Sequence, residues 1–151
     1  YALWRVWDIW RPALLFIGLN PSTANETQSD PTITRCATRA QRAGYGGLFA
    51  ANLYAYVSTM PRVLLGAGDF VGEENDNFIR YMADTAGQTL CGWGSFKPVV
   101  RRAPQVLAML NNPHCLGINA DGQPKHPLYI GYNVPMVVYK GEYQNTLNLA
   151  D

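Results

Sequence analysis

Short apolar segments alternate with amphipathic segments from residue 13 to residue 118, and this alternation constrains the fold more than any other feature of the chain. The run ALLFI at 13–17 has no polar residue, which is typical of a central strand buried on both faces. Further strands are predicted at GLFAANLYAYV (47–57), QTLCGWG (88–94) and HCLGI (114–118). Strands that alternate with helices predict an open α/β sheet covered by helices on both faces.

The stretches between these strands carry helix signals. TITRCATRAQRAG (32–44) follows Asp30 and Pro31, which suit the N-cap and the first helical position, and it stops at a glycine. GEENDNFIRYMADTAG (72–87) is an amphipathic helix led by acidic residues. KPVVRRAPQVLAMLNN (97–112) is a further helix, which either bends or begins afresh at its internal proline.

The N-terminal segment YALWRVWDIW alternates bulky and polar residues in part, which indicates a strand. We expect it to pair with ALLFI through a turn near residues 11–12, forming an N-terminal hairpin. Its three tryptophans are Trp4, Trp7 and Trp10. Residues 1–140 are interpreted as a single domain, and residues 141–151 as a polar tail.

Composition limits the classes of function. The formal net charge of +1 does not indicate a strongly basic surface, although a local basic patch can suffice for nucleic acid. No apolar stretch approaches the roughly 20 residues that span a bilayer, so no membrane partner is expected. The three cysteines are odd in number and far apart, which predicts buried thiols in a reducing cytoplasm and argues against a disulfide framework or a cysteine-rich zinc or iron–sulfur site. No metal or other cofactor is expected.

Two groups of arginines could form basic patches. Arg35, Arg39 and Arg42 recur at helical spacing, and Arg101 lies beside Arg102. We interpret both groups as solvated faces of helices.

Ligands of open α/β sheets bind beyond the carboxyl ends of the strands. Four polar or glycine-rich segments fall at these ends: GLNPSTAN (18–25), NLYAYVST (52–59), GWGSF (92–96) and KHPLY (125–129). They are far apart in sequence, but the topology predicts that they converge in space.

The first of these segments carries several small polar groups. Gly18 lets the backbone turn off the strand, and Asn20 offers both a donor and an acceptor. Ser22 and Thr23 are suited either to binding a phosphate or to capping a helix, and a plain turn explains the segment equally well.

Two later side chains are candidates for the same site. Asn52 follows small and apolar residues in a predicted core strand, so its amide either bonds to a neighbouring loop or reads a base. His126 precedes Pro127, which favours an extended backbone and a rigidly presented imidazole, although a surface loop is the alternative. The aromatic residues near the same edge either stack on a base or belong to the core. They are Tyr54, Tyr56, Trp93, Phe96 and Tyr129.

The segments LWRVWD, LLFIGLNPSTA, DPT, NLYAY, GWG and HPLY resemble an uncharacterised domain of unknown function found in bacteria and phages, over about residues 2–130. More distantly, FIGLNPS, AANLYAYVSTMPR and KHPLYI are similar, in this order, to the motifs of the uracil-DNA glycosylase superfamily. That likeness implies a three-layer α/β/α sandwich with a short, mainly parallel central sheet. Ser22 stands where the first motif has its second glycine, and Leu128 stands where the last has serine.

The glycosylase likeness also implies roles for individual residues. Asn20, in place of the acid of the most active members, would position the attacking water, and His126 would donate a hydrogen bond to the departing base. Asn52 would read the base, and Leu128 or Tyr129 would lie near the wedge that fills the space left by a flipped nucleotide. The catalytic candidates are therefore Asn20 and His126, and the substrate-binding candidates are Gly18, Pro21, Ser22, Thr23, Asn52, Tyr54, Pro127, Leu128 and Tyr129.

Three hypotheses follow. The first is a cytoplasmic hydrolase that cleaves the N-glycosidic bond of a uracil-like or modified base in DNA or a nucleotide. The second is a catalytically inactive module of the same fold that binds nucleic acid or a nucleotide. The third is a phage or bacterial accessory protein that acts through protein contacts, with the N-terminal tryptophans as an interface.

Overall fold

A computed structural model describes residues 2–19, 30–55, 71–96 and 99–141. Within these ranges the chain forms six β-strands, three α-helices and one 3₁₀ turn. The strands are β1 (Leu3–Val6), β2 (Ala13–Gly18), β3 (Gly47–Asn52), β4 (Gln88–Cys91), β5 (His114–Cys115) and β6 (Val137–Val138). The helices are α1 (Pro31–Arg42), α2 (Asn75–Thr85) and α3 (Val99–Leu107), and the 3₁₀ turn is Pro127–Tyr129.

The six strands form one open sheet in the order β1-β3-β2-β4-β5-β6. The pairs β3–β2, β2–β4 and β4–β5 are parallel, whereas the edge pairs β1–β3 and β5–β6 are antiparallel. The mixed α/β class predicted from the alternation of strands and helices is therefore confirmed.

Strand β2 is buried along its whole length, as its unbroken apolar sequence predicts. Because successive side chains of a strand point to opposite faces, Leu14 and Phe16 pack with Cys36 of α1. Leu15 and Ile17 belong to a second cluster on the other face, which contains buried side chains of α2 and α3. Helix α1 thus lies on one face of the sheet, and α2 and α3 lie on the other.

The boundaries of α1 match the sequence prediction. The Asp30 side chain accepts a hydrogen bond from the backbone N–H of Thr32 at 2.6 Å, and Pro31 is the first helical residue. The helix ends before Gly44, whose φ of +88° suits a residue without a Cβ. The predicted N-cap and glycine stop are both confirmed.

Helices α2 and α3 form where predicted but are shorter than the amphipathic segments. Pro104 lies inside a continuous α3 with its ring exposed, so a fresh helix start at this proline is wrong. The missing amide costs α3 one backbone hydrogen bond, and the helix tolerates this loss at the solvent side. No helix in the described ranges is long and apolar enough to cross a membrane.

The predicted N-terminal hairpin is wrong, because β1 pairs with β3 and not with β2. Both edges of β2 are taken by parallel partners, which leaves the outer edge of β3 for the N-terminal strand. The chain that connects β1 to β2 passes close to Gly46. The carbonyl oxygen of Gly46 accepts hydrogen bonds from the N–H groups of Trp7 and Asp8, both at 3.0 Å. The N–H of Gly46 donates to the carbonyl oxygen of Pro12 at 2.8 Å.

Two of the N-terminal tryptophans are strongly exposed. Trp4 is 60% exposed on the edge strand, and Trp10 is 89% exposed in the following turn. The indole N–H of Trp7 donates to the backbone oxygen of Tyr45 at 2.9 Å. An interface at these residues stays a prediction, and the predicted tail lies outside the described residues beyond position 141.

We expect Gly46→Ala to destabilise the protein by about 3 kcal/mol, because an added methyl group is overpacked against backbone that cannot move away. A Cβ at this position would overlap the carbonyl oxygen of Asp8 and lie 2.5 Å from that of Arg11. The control is Gly44→Ala, where the nearest atom is the end of the Arg11 side chain at 3.9 Å and only backbone strain of about 1–2 kcal/mol is expected. Urea unfolding measures both variants, and an equal or smaller loss at residue 46 would contradict this packing.

Candidate functional site

The first two predicted segments run side by side beyond the sheet. Gly18 and Asn52 are register partners at the ends of β2 and β3. The pairing continues past the strands, since the N–H of Leu53 donates to the Gly18 oxygen at 2.9 Å and that of Tyr54 donates to the Leu19 oxygen at 3.0 Å. A Cβ on Gly18 would lie 3.0 Å from Oδ1 of Asn52. The Asn52 amide therefore lies beside Gly18 at the carboxyl edge, where β3 ends, and not in the middle of a longer strand.

Buried polar side chains hold the end of β3 in place. Nδ2 of Asn75 donates to the backbone oxygens of Asn52 and Leu53, at 2.9 and 3.2 Å. Nε of Arg102 donates to the same Leu53 oxygen at 2.8 Å, and its guanidinium also pairs with Asp76. These bonds fix the backbone at the point where the regular strand β3 gives way to the following loop.

The solvated interpretation is wrong for Arg102, which is only 3% exposed. Arg102 lies on the face of α3 that is directed at the core, three residues after buried Val99 and four residues before buried Val106. That spacing distinguishes it from its neighbour Arg101, which is exposed.

The last two predicted segments also contact each other. The N–H of Gly94, whose φ is +74°, donates to the Pro124 oxygen at 3.0 Å. A Cβ on Gly94 would lie 3.6 Å from Cβ of His126, and a Cβ on Gly92 would lie 2.9 Å from Cδ of Pro127. These glycines let the chain carrying His126 approach the end of β4 closely.

The buried ring of Phe16 joins the two halves of the edge. Its Cε2 atom would lie 3.2 Å from a Cβ on Gly18, and its Cε1 atom 2.7 Å from a Cβ on Gly92. The Asn52 side and the His126 side therefore flank one aromatic ring. The described parts of the four segments converge as predicted, whereas Asn20, Pro21, Ser22 and Thr23 lie outside the described residues.

His126 is presented as its following proline predicts. Its backbone is extended, with φ −68° and ψ 132°, and its Nδ1 accepts a hydrogen bond from the N–H of Leu128 at 3.2 Å. An accepting Nδ1 places the proton of the neutral ring on Nε2, which makes that atom a donor. Burial lowers the pKa of His126 and favours this neutral form, while the Asp30 carboxylate acts in the opposite direction.

Arginines of α1 fix the chain that follows His126. Arg35 donates to the backbone oxygens of Pro127 and Ile130, at 3.3 and 2.6 Å. Arg39 donates to those of Gly131 and Val134, at 2.9 and 2.8 Å. Arg39 is buried, so its interpretation as a solvated residue is wrong.

An aromatic ring completes this arrangement. The guanidinium carbons of Arg35, Arg39 and Arg42 lie 4.5, 5.6 and 4.4 Å from the ring centroid of Tyr132. Cation–π contacts of this kind add to the hydrogen bonds in holding the segment against α1.

The aromatic candidates divide between rim and core. Tyr129 is 86% exposed, and Leu128 beside it is half-buried. Trp93 is buried and donates from its indole nitrogen to Gln123 at 2.8 Å, so it belongs to the core. Tyr54 packs in part against the core, and burial raises the pKa of its phenol.

The described residues give less support to catalysis by a cysteine thiol or by a bound metal ion. All three cysteines are buried as predicted, and burial raises the pKa of the Cys36 thiol to about 12, so it stays protonated and a poor nucleophile. Across the described ranges, no group of three or more histidine, cysteine, aspartate or glutamate side chains is arranged to hold a metal ion.

The family described as "Protein of unknown function (DUF1643)" has a model that matches residues 1–128, and the chain belongs to this family. No curated protein gives a significant match to the chain. No solved structure gives one either. The family description assigns no activity.

We expect Arg102→Met to lower the free energy of unfolding by about 2–3 kcal/mol, because it leaves the Leu53 carbonyl and Asp76 without a buried partner. Arg101→Met is the matched control and should change stability by less than about 0.5 kcal/mol, since Arg101 is exposed. Urea unfolding compares the two variants. Equal losses would contradict the anchoring role of Arg102.

The lowered pKa of His126 predicts a pH dependence of stability. As the pH falls, the unfolded chain takes up the proton first, so the contribution of neutral His126 is complete above about pH 6.5 and is lost as the pH falls through the folded-state pKa. His126→Gln should flatten the fall of unfolding free energy in this range. An NMR titration in which folded His126 titrates at or above pH 6.5 would contradict its burial.

Proposed function

We propose that this family member is a glycosylase-like hydrolase that binds a uracil-like or modified base at the carboxyl edge of the sheet and cleaves its N-glycosidic bond. The observation that supports the proposal is that Gly18, beside Asn52, and Gly92, beside the residue that follows His126, both lie against the Phe16 ring, at the edge where α/β proteins bind ligands. Both side chains lie on the face of the sheet covered by α1.

The two side chains suit recognition of a base. The Asn52 amide has a donor and an acceptor, which matches the edge of a pyrimidine. In the described parts of the chain, its Oδ1 and Nδ2 have no hydrogen-bond partner. Its position is nevertheless fixed, because Asn75 bonds to its backbone oxygen.

His126 suits the departure of the base. When the bond between the sugar carbon and the base nitrogen breaks, its electron pair leaves with the base. The oxygen of water bonds to the sugar carbon, and the proton that this water loses neutralises the released base. A neutral imidazole with its proton on Nε2 can donate a hydrogen bond to the charge that develops on the base. Asn20, outside the described residues, is the proposed residue for placing the water.

The finer description of the fold belongs to the same proposal. We propose a uracil-DNA glycosylase-like three-layer sandwich for residues 1–140. The parallel pairing of β3, β2, β4 and β5 and the helices on both faces support it. Exposed Tyr129 and half-buried Leu128 are the proposed wedge, and Tyr54 and Pro127 the proposed lining of the base pocket.

A base-release screen on single- and double-stranded DNA with uracil, mismatched and modified bases tests the proposal. We expect His126→Ala to lower the rate of release about 100-fold to 1,000-fold, because it removes a donor to the developing charge. The matched control is His114→Ala, which removes the other histidine, at β5, and should leave release unchanged. Asn52→Ala should also lose release, whereas Asn77→Ala on the exposed face of α2 should not.

Release that is equal in the His126 and His114 variants would overturn the role of His126. Salt-dependent binding of DNA or nucleotides without any release would instead support the inactive binding module. Absence of both binding and release, with the fold intact, would leave the accessory protein acting through protein contacts as the remaining hypothesis.

A further inference from the structure

Exposed hydrophobic side chains concentrate on the edge strand β1 and the turn that follows it. Trp4 is 60% exposed and Val6 is 51% exposed. Leu3 packs against the core cluster on the α1 face, so Trp4 and Val6 lie together on the opposite face of the sheet, where they remain in contact with solvent. The exposed surface continues into the turn with Trp7, Ile9 and Trp10. A concentration of exposed apolar side chains is typical of a protein interaction site.

The outer edge of β1 also presents backbone hydrogen-bonding groups. In an antiparallel pair, alternate residues bond to the neighbouring strand, and the residues between them point their N–H and C=O groups away from it. Trp7 follows the register of β1 and β3, and its N–H bonds to the Gly46 oxygen, so the odd-numbered residues of β1 are the ones that bond to β3. Trp4 and Val6 therefore point their backbone groups outward. No second strand of the described chain pairs with β1 there.

This edge lacks the usual protection against pairing with another strand. Solvated sheet edges commonly carry lysine, proline or a bulge. Strand β1 has neither lysine nor proline, and its one charged residue, Arg5, is half-buried on the α1 face. A groove of about 440 Å³ lies against consecutive residues of this edge, which are Ala2, Leu3, Trp4 and Arg5. The edge therefore has both unpaired backbone groups and space beside them for a further strand.

We propose that this edge is a homodimer interface, in which β1 pairs antiparallel with β1 of a second copy and joins the two sheets into one. A two-fold axis at Trp4 places this residue opposite Trp4 of the second copy. The same axis places Leu3 opposite Arg5 of the second copy, and Ala2 opposite its Val6. Such a contact uses the same surface on both copies, so it closes with two chains.

The sequence of β1 complements itself in this register. The two Trp4 side chains meet on the exposed face and form an aromatic cross-strand pair. On the other face, the apolar stem of Arg5 lies along Leu3 of the second copy. An axis one residue further along would place the two Arg5 side chains directly opposite each other, and like charges destabilise such a pair. This match of charge and shape identifies a second copy of the chain as the partner.

The backbone groups match in the same register. Trp4 points its N–H and C=O outward, so the two Trp4 residues exchange hydrogen bonds across the axis. Val6 also points outward and exchanges bonds with Ala2 of the second copy. The dimer thus pairs the groups that β3 leaves unpaired.

The dimer goes beyond the proposed function and is independent of it. An antiparallel pairing turns the second sheet end for end, so the two carboxyl edges point in opposite directions. Each candidate site is then formed by one copy alone. Any base release should therefore be the same in the wild-type protein and in a monomeric variant.

Sedimentation equilibrium of the full chain tests the interface. We expect the wild-type protein to have the mass of two chains. Trp4→Glu should have the mass of one chain, because it places two carboxylates opposite each other across the axis. The matched control is Val138→Glu on β6, the strand at the other end of the sheet, where Val138 is 49% exposed. This control should remain dimeric. A monomeric wild-type protein, a dimeric Trp4→Glu variant or a dissociated Val138→Glu variant would each overturn the proposal.

A pair of cysteines tests the register while Trp4 stays in place. In the double variant Ala2→Cys/Val6→Cys, each new cysteine lies opposite the other new cysteine of the second copy. Their Cα atoms are about 5.5 Å apart in a hydrogen-bonded antiparallel pair, which suits a disulfide. Oxidation in air should therefore link two chains, and the native cysteines, which are buried, should not contribute. Val6→Cys alone should stay unlinked, because the two copies of this residue lie far apart.

Equal linking in the single and the double variant would overturn this register. A wild-type protein that is monomeric and instead binds an added extended peptide, with NMR shifts at Trp4 and Val6, would overturn pairing with a second copy and assign the edge to a strand of another protein.

Discussion

The pairing of β2 on both edges is the constraint from which the rest of the structure follows. The strand is buried along its length and hydrogen-bonded to parallel β3 and β4, so its alternating side chains anchor a core on each face. Because both edges of β2 are occupied, β1 cannot pair with β2, and it pairs with the outer edge of β3 instead. It also brings the ends of three parallel strands to one edge, where Phe16 lies between the chains that carry Asn52 and His126.

Four polar side chains, three of them buried and Arg35 half-buried, hold the loops at this edge in a defined arrangement. Asn75 and Arg102 bond to the carbonyls at the end of β3, and Arg35 and Arg39 bond to those that follow His126. An unpaired buried donor costs about 1–3 kcal/mol, so each bond resists displacement of the loop that it holds. The backbone that carries the site residues is therefore held in place by hydrogen bonds from these side chains.

Local chemistry was sufficient to predict the elements but not their partners. The buried run of β2, the Asp30 cap and the glycine after α1 follow from neighbouring residues, and each was predicted correctly. The partner of β1 depends on which edges of β2 are already occupied, which is a property of the whole sheet. The sequence does not predict the inward arginines for a related reason, because the carbonyls that they bind are distant in sequence. In the site, the topology predicts the convergence, whereas the bonds from Arg35 to the chain that follows His126 depend on how α1 packs.

The central claim is that the carboxyl edge on the α1 face binds a nucleobase. Adding a short single-stranded DNA that contains uracil or a modified base to the isotopically labelled protein, and following amide and imidazole NMR signals, tests it most directly. We expect chemical-shift changes at Gly18, Asn52, Gly94 and His126 that reach saturation at the same DNA concentration, whereas the signals of His114 stay unchanged. Shifts confined to the exposed tryptophan edge around Trp4 and Trp10, or none with any base, would contradict it.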